Sequence, residues 1–351
     1  MKFSDLSDDN KREVINQVKI ASEEIMGEQT IEKDWWVTQV LRAVFSLPYA
    51  EHLSFKGGTS LSKCWHLIER FSEDIDIAVS RDFLGYGGTL SRTQISDKLR
   101  RAACSFVRER MQFDLRDALI KQGIAEDKFN VTVNITPVST TDPETIIVEY
   151  GSALPESPYI RHSVIIEVSG RSMQQPVKCE SINSLIDQYL PQTVVAEKTF
   201  SIPNVVTPER TFLEKIFLLH EEFHKPQSEI RTNRMSRHLY DIATMMKSGI
   251  DHNALDNEKL YRSIIEHRRY FINLKDFDYD TLYPATLTIV PPDSVVDLWQ
   301  KDYTKMQQSM IYGEVPTFKE IMSVLNSLQQ RVRKLPYRKK HRLDYGIKKR
   351  G

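Results

Sequence analysis

Residues 54–79 read SFKGGTSLSKCWHLIERFSEDIDIAV, and the fold is decided there. A Gly-Gly turn is followed by small hydroxyl residues and a helix-like run of about three turns. The stretch closes on a short strand, Asp74-Ile75-Asp76-Ile77, with two acids two apart. Alternate residues of a strand project to one face, so Asp74 and Asp76 point the same way. Two carboxylates held side by side repel each other unless a cation sits between them. Mg²⁺ suits such a pair, because it prefers carboxylate oxygens and shares its remaining positions with substrate phosphates. Gly57 and Gly58 let a phosphate approach the backbone, and a helix beginning near Ser60 directs N–H groups at it. The stretch reads as a phosphate cradle joined to a metal clamp. An incidental D-x-D on a surface strand is the plainer alternative.

The 351 residues suffice for two domains and a sizeable core. With 40% hydrophobic and 27% charged residues, the composition is that of an ordinary soluble protein. Lys+Arg and Asp+Glu both number 48, so net charge points to no polyanionic partner. Cys64, Cys104 and Cys179 are odd in number and far apart, which excludes a disulfide framework or zinc ribbon and suits a reducing cytoplasm. The start MKFSDLSDDNKREV has no apolar core for a signal peptide, and no run nears the ~20 residues that span a bilayer. The expectation is a cytoplasmic protein with no membrane partner.

Apolar spacing predicts amphipathic helices over 5–27 and after Thr30, the second containing Glu32-Lys33-Asp34-Trp35-Trp36. Adjacent tryptophans are expected to diverge, one into the core and one onto a neighbouring segment, or one beside a nucleotide base. Residues 81–89 form a glycine-rich loop near the site mouth. A helix from about Ser96 to Lys121 carries Arg100, Arg101, Arg108 and Arg110, either as a solvated face or against a nucleic-acid backbone. Three β-patterned runs follow: 129–135, 145–150 and 162–168. In the last, HSVIIEV, Glu167 stands among apolar neighbours, where a charge is rarely buried unless paired or bound to a cation. A mixed segment ends near Ile202-Pro203. Thr207-Pro208-Glu209 is a helix start, and that helix carries Leu213-Glu214-Lys215-Ile216. Lys215 on its apolar side is either functional or snorkelling. Farther on, Arg234-Met235-Ser236-Arg237-His238-Leu239-Tyr240-Asp241 places Arg237 and Asp241 on one helix face, where they can pair.

His220-Glu221-Glu222-Phe223-His224 satisfies the zinc-protease pattern H-E-x-x-H. Pro226 breaks the helix just beyond, and zinc chemistry would leave the Gly-Gly and D-x-D elements unexplained. The reading is set aside. The end, 331–351, carries ten basic residues against the single acid Asp344, with Tyr337 and Tyr345 between them. A solvated tail and an RNA-following segment both fit.

The ordered glycines, helix and acidic strand resemble the polymerase-β-like nucleotidyltransferase superfamily. Within it, Phe55-Lys56-Gly57-Gly58-Thr59-Ser60-Leu61 and Arg70-Phe71-Ser72-Glu73-Asp74-Ile75-Asp76 are similar to the AbiEii and MenT toxins, as are Leu213–Ile216 and the segment ending at Asp241. The resemblance spans roughly residues 30–330. It implies an α/β (α+β) chain: a nucleotidyltransferase-fold mixed sheet flanked by helices over 1–205, a helical domain over 206–330, then the basic tail 331–351. It implies two Mg²⁺ ions on Asp74, Asp76 and Glu167, Glu167 being the third carboxylate on a neighbouring strand. Lys56, Gly57, Gly58, Thr59, Ser60 and Ser72 would surround an NTP, with Lys215 and Arg237 on its phosphates and Asp241 near Lys215. The implied activity is a toxin's transfer of NMP to an acceptor, the tRNA 3′ end first, in a toxin–antitoxin or phage-defence system with a cognate antitoxin protein. Transfer to a protein hydroxyl or small molecule, or a non-catalytic nucleotide- or RNA-binding module, are the alternatives.

Overall fold

In the computed structural model, which describes residues 1–23, 26–134, 144–155 and 160–338, the chain opens on two helices. Helix α1 (Asp8–Ala21) is capped by Ser7, whose side chain accepts the Asn10 N–H. Helix α2 (Glu28–Val44) is interior: every residue from Thr30 to Leu41 is buried. Both tryptophans are therefore in one core, contrary to the expected divergence. Trp35 meets Phe3 at 5.3 Å between ring centres, and Trp36 stacks on Tyr150 at 4.8 Å. A helix packed on all sides has no solvent face to which one of them could turn.

Strand β1 (Leu53–Lys56) runs straight into α3 (Gly57–Lys63), and β2 (Asp74–Val79) follows. The three-turn helix expected here stops at Lys63. His66 adopts a left-handed φ of 51°, and the Leu67 N–H donates to the Leu61 carbonyl at 3.0 Å, closing the chain off the helix axis. Helices α4 (Arg100–Phe106) and α5 (Gln112–Lys121) lie on one rod that begins at Gln94, its segments 94–99 and 107–111 wound in wider turns. Then come β3 (Phe129–Asn134), β4 (Glu144–Tyr150), β5 (Ser163–Ser169), β6 (Val177–Ile182), α6 (Leu185–Tyr189) and β7 (Phe200–Val206). The segment expected to end near Pro203 continues as strand. Pro203 lies where β6 and β7 step out of register between Lys178 and Glu180, a place in a ladder that tolerates a missing N–H. The chain proceeds through α7 (Pro208–Phe223), α8 (Ser236–Lys247), α9 (Ile250–Asp256), α10 (Glu258–His267), α11 (Val296–Ser309) and α12 (Phe318–Arg333).

The seven strands form one mixed sheet in the order β3-β4-β5-β2-β1-β7-β6. Strand β2 is parallel to β5 and antiparallel to β1. Ile75, Ile77, Ile146, Val148, Val164, Ile166 and Val168 are all fully buried in the core that also takes α2. Burying each is worth about 1.5–3 kcal/mol, so a one-residue slip of any one of these strands would send its share of the set to the wrong face. The partly exposed residues of β2 and β5 are the alternate ones: Asp74, Asp76, Ile165, Glu167 and Ser169. The chain divides into two compact units. The first is Met1–Thr211 with Lys305–Val315; the second is Phe212–Thr304 with the chain from Pro316 onward. No helix among the described residues is long and apolar enough to cross a membrane.

Candidate active site

In the first unit the site is built on the centre of the sheet. Asp76 is register partner to Glu167 of β5 on one side and to Lys56 of β1 on the other. Cross-strand partners share a face, so Lys56, Asp76 and Glu167 form a row across three strands, with Asp74 two residues along β2. The row mixes one cation with acids. Gly57, next to Lys56, has φ +82°, and a Cβ built on it would lie 1.9 Å from Asp76 Oδ2. Only a residue without a side chain lets the turn close this tightly onto the carboxylate. A Cβ on Gly58 would lie 2.8 Å from both Arg70 Nη2 and Ser72 Oγ, so Ser72 also borders the turn.

Thr59 and Ser60 are buried. Thr59 Oγ1 donates to the Asp74 carbonyl at 2.6 Å, and Ser60 Oγ donates to the Gly57 carbonyl at 2.9 Å. The Thr59 proton ties the turn to β2, and the Ser60 proton is used within the turn itself. Sequence spacing could not distinguish that use from direct contact with a phosphate. Among the described residues no three His, Cys, Asp or Glu side chains are gathered closely enough to hold an ion unaided. The oxygen-only donor set still fits Mg²⁺, which takes one or two carboxylates and fills its octahedron with water and substrate phosphate.

In the second unit, Lys215 of α7 is buried and its Nζ lies 2.8 Å from Asp241 Oδ2 of α8, which is fully buried. His238 Nδ1 is 3.4 Å from the same nitrogen. Asp241 thus directs its carboxylate to Lys215, a partner that i, i+4 spacing on α8 alone did not offer; Arg237 lies one turn before it on the same helix. The start of α8 is held by Asp302, whose carboxylate accepts the Arg234 N–H (2.7 Å), the Ser236 N–H (2.9 Å) and the Ser236 hydroxyl (2.5 Å). No local pattern announces this cap, because it comes from α11.

The H-E-x-x-H pair serves packing. The Thr288 N–H donates to His220 Nδ1 at 2.9 Å, so the proton of the neutral ring sits on Nε2, 2.9 Å from Thr281 Oγ1. Glu221 pairs with Arg268, and Glu222 with Arg231 and Lys225. Burial and the neighbouring His224 push the His220 pKa down from 6.5 to about 3. Below pH 6.5 the unfolded chain gains a proton that the folded chain refuses until about pH 3. The ring's contribution is complete above 6.5 and falls by about 1.4 kcal/mol per pH unit between those limits. Chemical denaturation at pH 7.5 and 4.5 is expected to show a loss of about 3 kcal/mol from this group. His220→Gln should remove that part of the slope; equal slopes in both proteins would rule the assignment out.

The arginines of the rod that runs from Gln94 through α5 are largely neutralised within the fold. Arg108 meets Glu144 at 2.6 Å, Arg101 meets Asp97 at 2.8 Å, and Arg110 lies 3.4 Å from Asp114 and over the Tyr49 ring. Of the expected tail, Arg331 and Arg333 end α12, pairing with Asp251 and the Leu287 carbonyl, and the Tyr337 hydroxyl donates to the Leu255 carbonyl. The remaining basic run from Lys339 lies outside the described residues.

A family model described as nucleotidyl transferase AbiEii toxin, type IV toxin–antitoxin system, matches residues 39–324, and the chain belongs to that family. MenT4, a nucleotidyltransferase toxin of Mycobacterium tuberculosis, is a similar solved structure at 14% identity and TM-score 0.45, covering 91% of this chain and 92% of its own. JHP933 of Helicobacter pylori is similar at 15% identity and TM-score 0.39, covering 88% and 94%. No curated protein matches the sequence.

Proposed function

We propose that the protein is a Mg²⁺-dependent nucleotidyltransferase toxin that moves NMP from an NTP to an RNA acceptor, the tRNA 3′ end first. The observation that carries this reading is the row of Asp76 and Glu167 at adjacent register positions, with Asp74 on the same face and Gly57 closed against Asp76. Asp74, Asp76 and Glu167 would hold the metal only together with substrate phosphate and water, and the metal would supply positive charge to phosphate oxygens when bound. Asp76 or Glu167 takes the proton of the acceptor hydroxyl. That oxygen then bonds to the α-phosphorus, the bond to the bridging oxygen breaks, and pyrophosphate leaves. Backbone at Gly57 and Gly58 gives the phosphates close approach, and Lys56 and Ser72 border them. Lys215, with Asp241, and Arg237 supply cationic charge for the triphosphate. Family membership supports an antitoxin partner and cytoplasmic action.

The test is to incubate the full chain with each α-labelled NTP, Mg²⁺ and total RNA. Labelled RNA of tRNA size that disappears with EDTA is the expected result. Label in protein or in a small molecule would move the acceptor class, and no label with any NTP would overturn the reading.

A further inference from the structure

Glu32, Lys33 and Asp34 follow one another in the first half of the interior helix α2, with 1%, 1% and 7% of their surface exposed. Charges taken out of water carry a heavy desolvation cost, and buried ion pairs replaced by packed apolar groups often leave a protein as stable or more so. Stability alone does not explain three in succession. Their partners do. Glu32 accepts the Ala153 N–H at 3.0 Å and the Ser152 hydroxyl at 2.5 Å. Lys33 Nζ donates to Glu73 Oε2 at 2.8 Å. Asp34 pairs through Oδ1 with Lys63 Nζ at 2.5 Å and accepts the Leu185 N–H through Oδ2 at 2.7 Å.

Glu73 immediately precedes Asp74, and Lys63 is the last residue of the helix that begins at Gly57. With the bond from Thr59 Oγ1 to the Asp74 carbonyl, these contacts close a ring: α2 to Glu73, β2 to Thr59, α3 to Lys63, and back to α2. We infer that Lys33 and Asp34 are positioning residues, Lys33 setting the acid-bearing strand through Glu73 and Asp34 setting the glycine turn through Lys63. The inference rests on the nucleotidyltransferase reading and adds to it two residues that touch neither substrate nor metal.

The two arms act on different things. The strand carries the groups that act in the chemical step, and the turn carries the groups that bind phosphate. In the full chain, Lys33→Met is expected to lower kcat about 10–100-fold with KM for the NTP within about threefold. Asp34→Asn is expected to raise that KM about tenfold with kcat within about threefold. Lys33→Arg, which keeps charge and reach, should recover most of kcat, as a purely volumetric role would not require. Hydrogen exchange without ligand gives the independent readout: faster at 73–79 in Lys33→Met and faster at 57–63 in Asp34→Asn. If Lys33→Met does not fold, Glu73→Gln tests the same arm while keeping an acceptor of the same shape. Unchanged exchange in both segments, or kcat and KM losses that merely follow the melting temperature in both variants, overturns the inference. A wild-type protein that transfers nothing would end the nucleotidyltransferase reading, while the exchange pattern would still decide whether these pairs position the two segments.

Discussion

Gly57→Ala is expected to abolish nucleotide transfer in a protein that still folds. The residue sits at φ +82°, where an L side chain is strained by about 1–2 kcal/mol. That alone is tolerable. The larger consequence is steric: the new methyl would lie 1.9 Å from Asp76 Oδ2, so either the turn or the carboxylate must move. Displacements near 1 Å at a reacting centre cost about 10²-fold, and here the proposed phosphate approach and a proposed metal-binding oxygen would shift together. We expect a loss of about 10³-fold in kcat/KM, with the melting temperature lowered by only a few degrees, roughly what a strain of this size predicts. Asp76→Asn should reproduce the loss without the strain. Gly57→Ala with activity within about threefold of wild type would remove the close turn from the mechanism.

The second large effect is on stability. Asp241→Asn leaves Lys215 buried with its ion-pair partner neutralised, and breaking such a pair from one side costs about 3–5 kcal/mol. Denaturation should show a correspondingly lower midpoint. The double variant Lys215→Met, Asp241→Leu replaces both charges with apolar groups and is expected to recover most of that stability. It should not recover transfer, because the proposed cation for the triphosphate is gone. A double variant that transfers normally would leave the pair as a packing device only.

Much of the site's local geometry was legible in the sequence. The alternation of Asp74-Ile75-Asp76-Ile77 put both acids on one face, and the run around Glu167 had the same period. The register that makes Asp76 neighbour to both Glu167 and Lys56 is set by pairing across three strands, which no local pattern contains; the resemblance, and not the residues, suggested that the strand of Glu167 lies beside β2. Glu32-Lys33-Asp34 was visible as a charged triplet. Its role was hidden because its partners are side chains and backbone groups from four other segments. The shared burial of the tryptophans is invisible to periodicity for a related reason: periodicity assumes a helix with a wet side, and from Thr30 to Leu41 α2 has none. Asp302, which caps α8, is likewise a residue whose use only tertiary contact reveals.

The return of Lys305–Val315 to the first unit bears on how the protein can be divided. Phe71 N–H donates to the Met310 carbonyl, Tyr312 N–H to the Glu69 carbonyl, and Glu314 N–H to Glu69 Oε2 at 2.9 Å. A Cβ on Gly313 would collide with Glu69 Oε2 at 1.8 Å, so this crossing is fitted as closely as the turn at Gly57. An N-terminal fragment ending near residue 211 would lack the ribbon that braces Glu69–Phe71, just ahead of the acids. Along the chain, 212–304 is an insertion between two pieces of the first unit. A fragment meant to fold as the first unit would have to carry 305–315 with it, joined by a linker or supplied as a separate peptide.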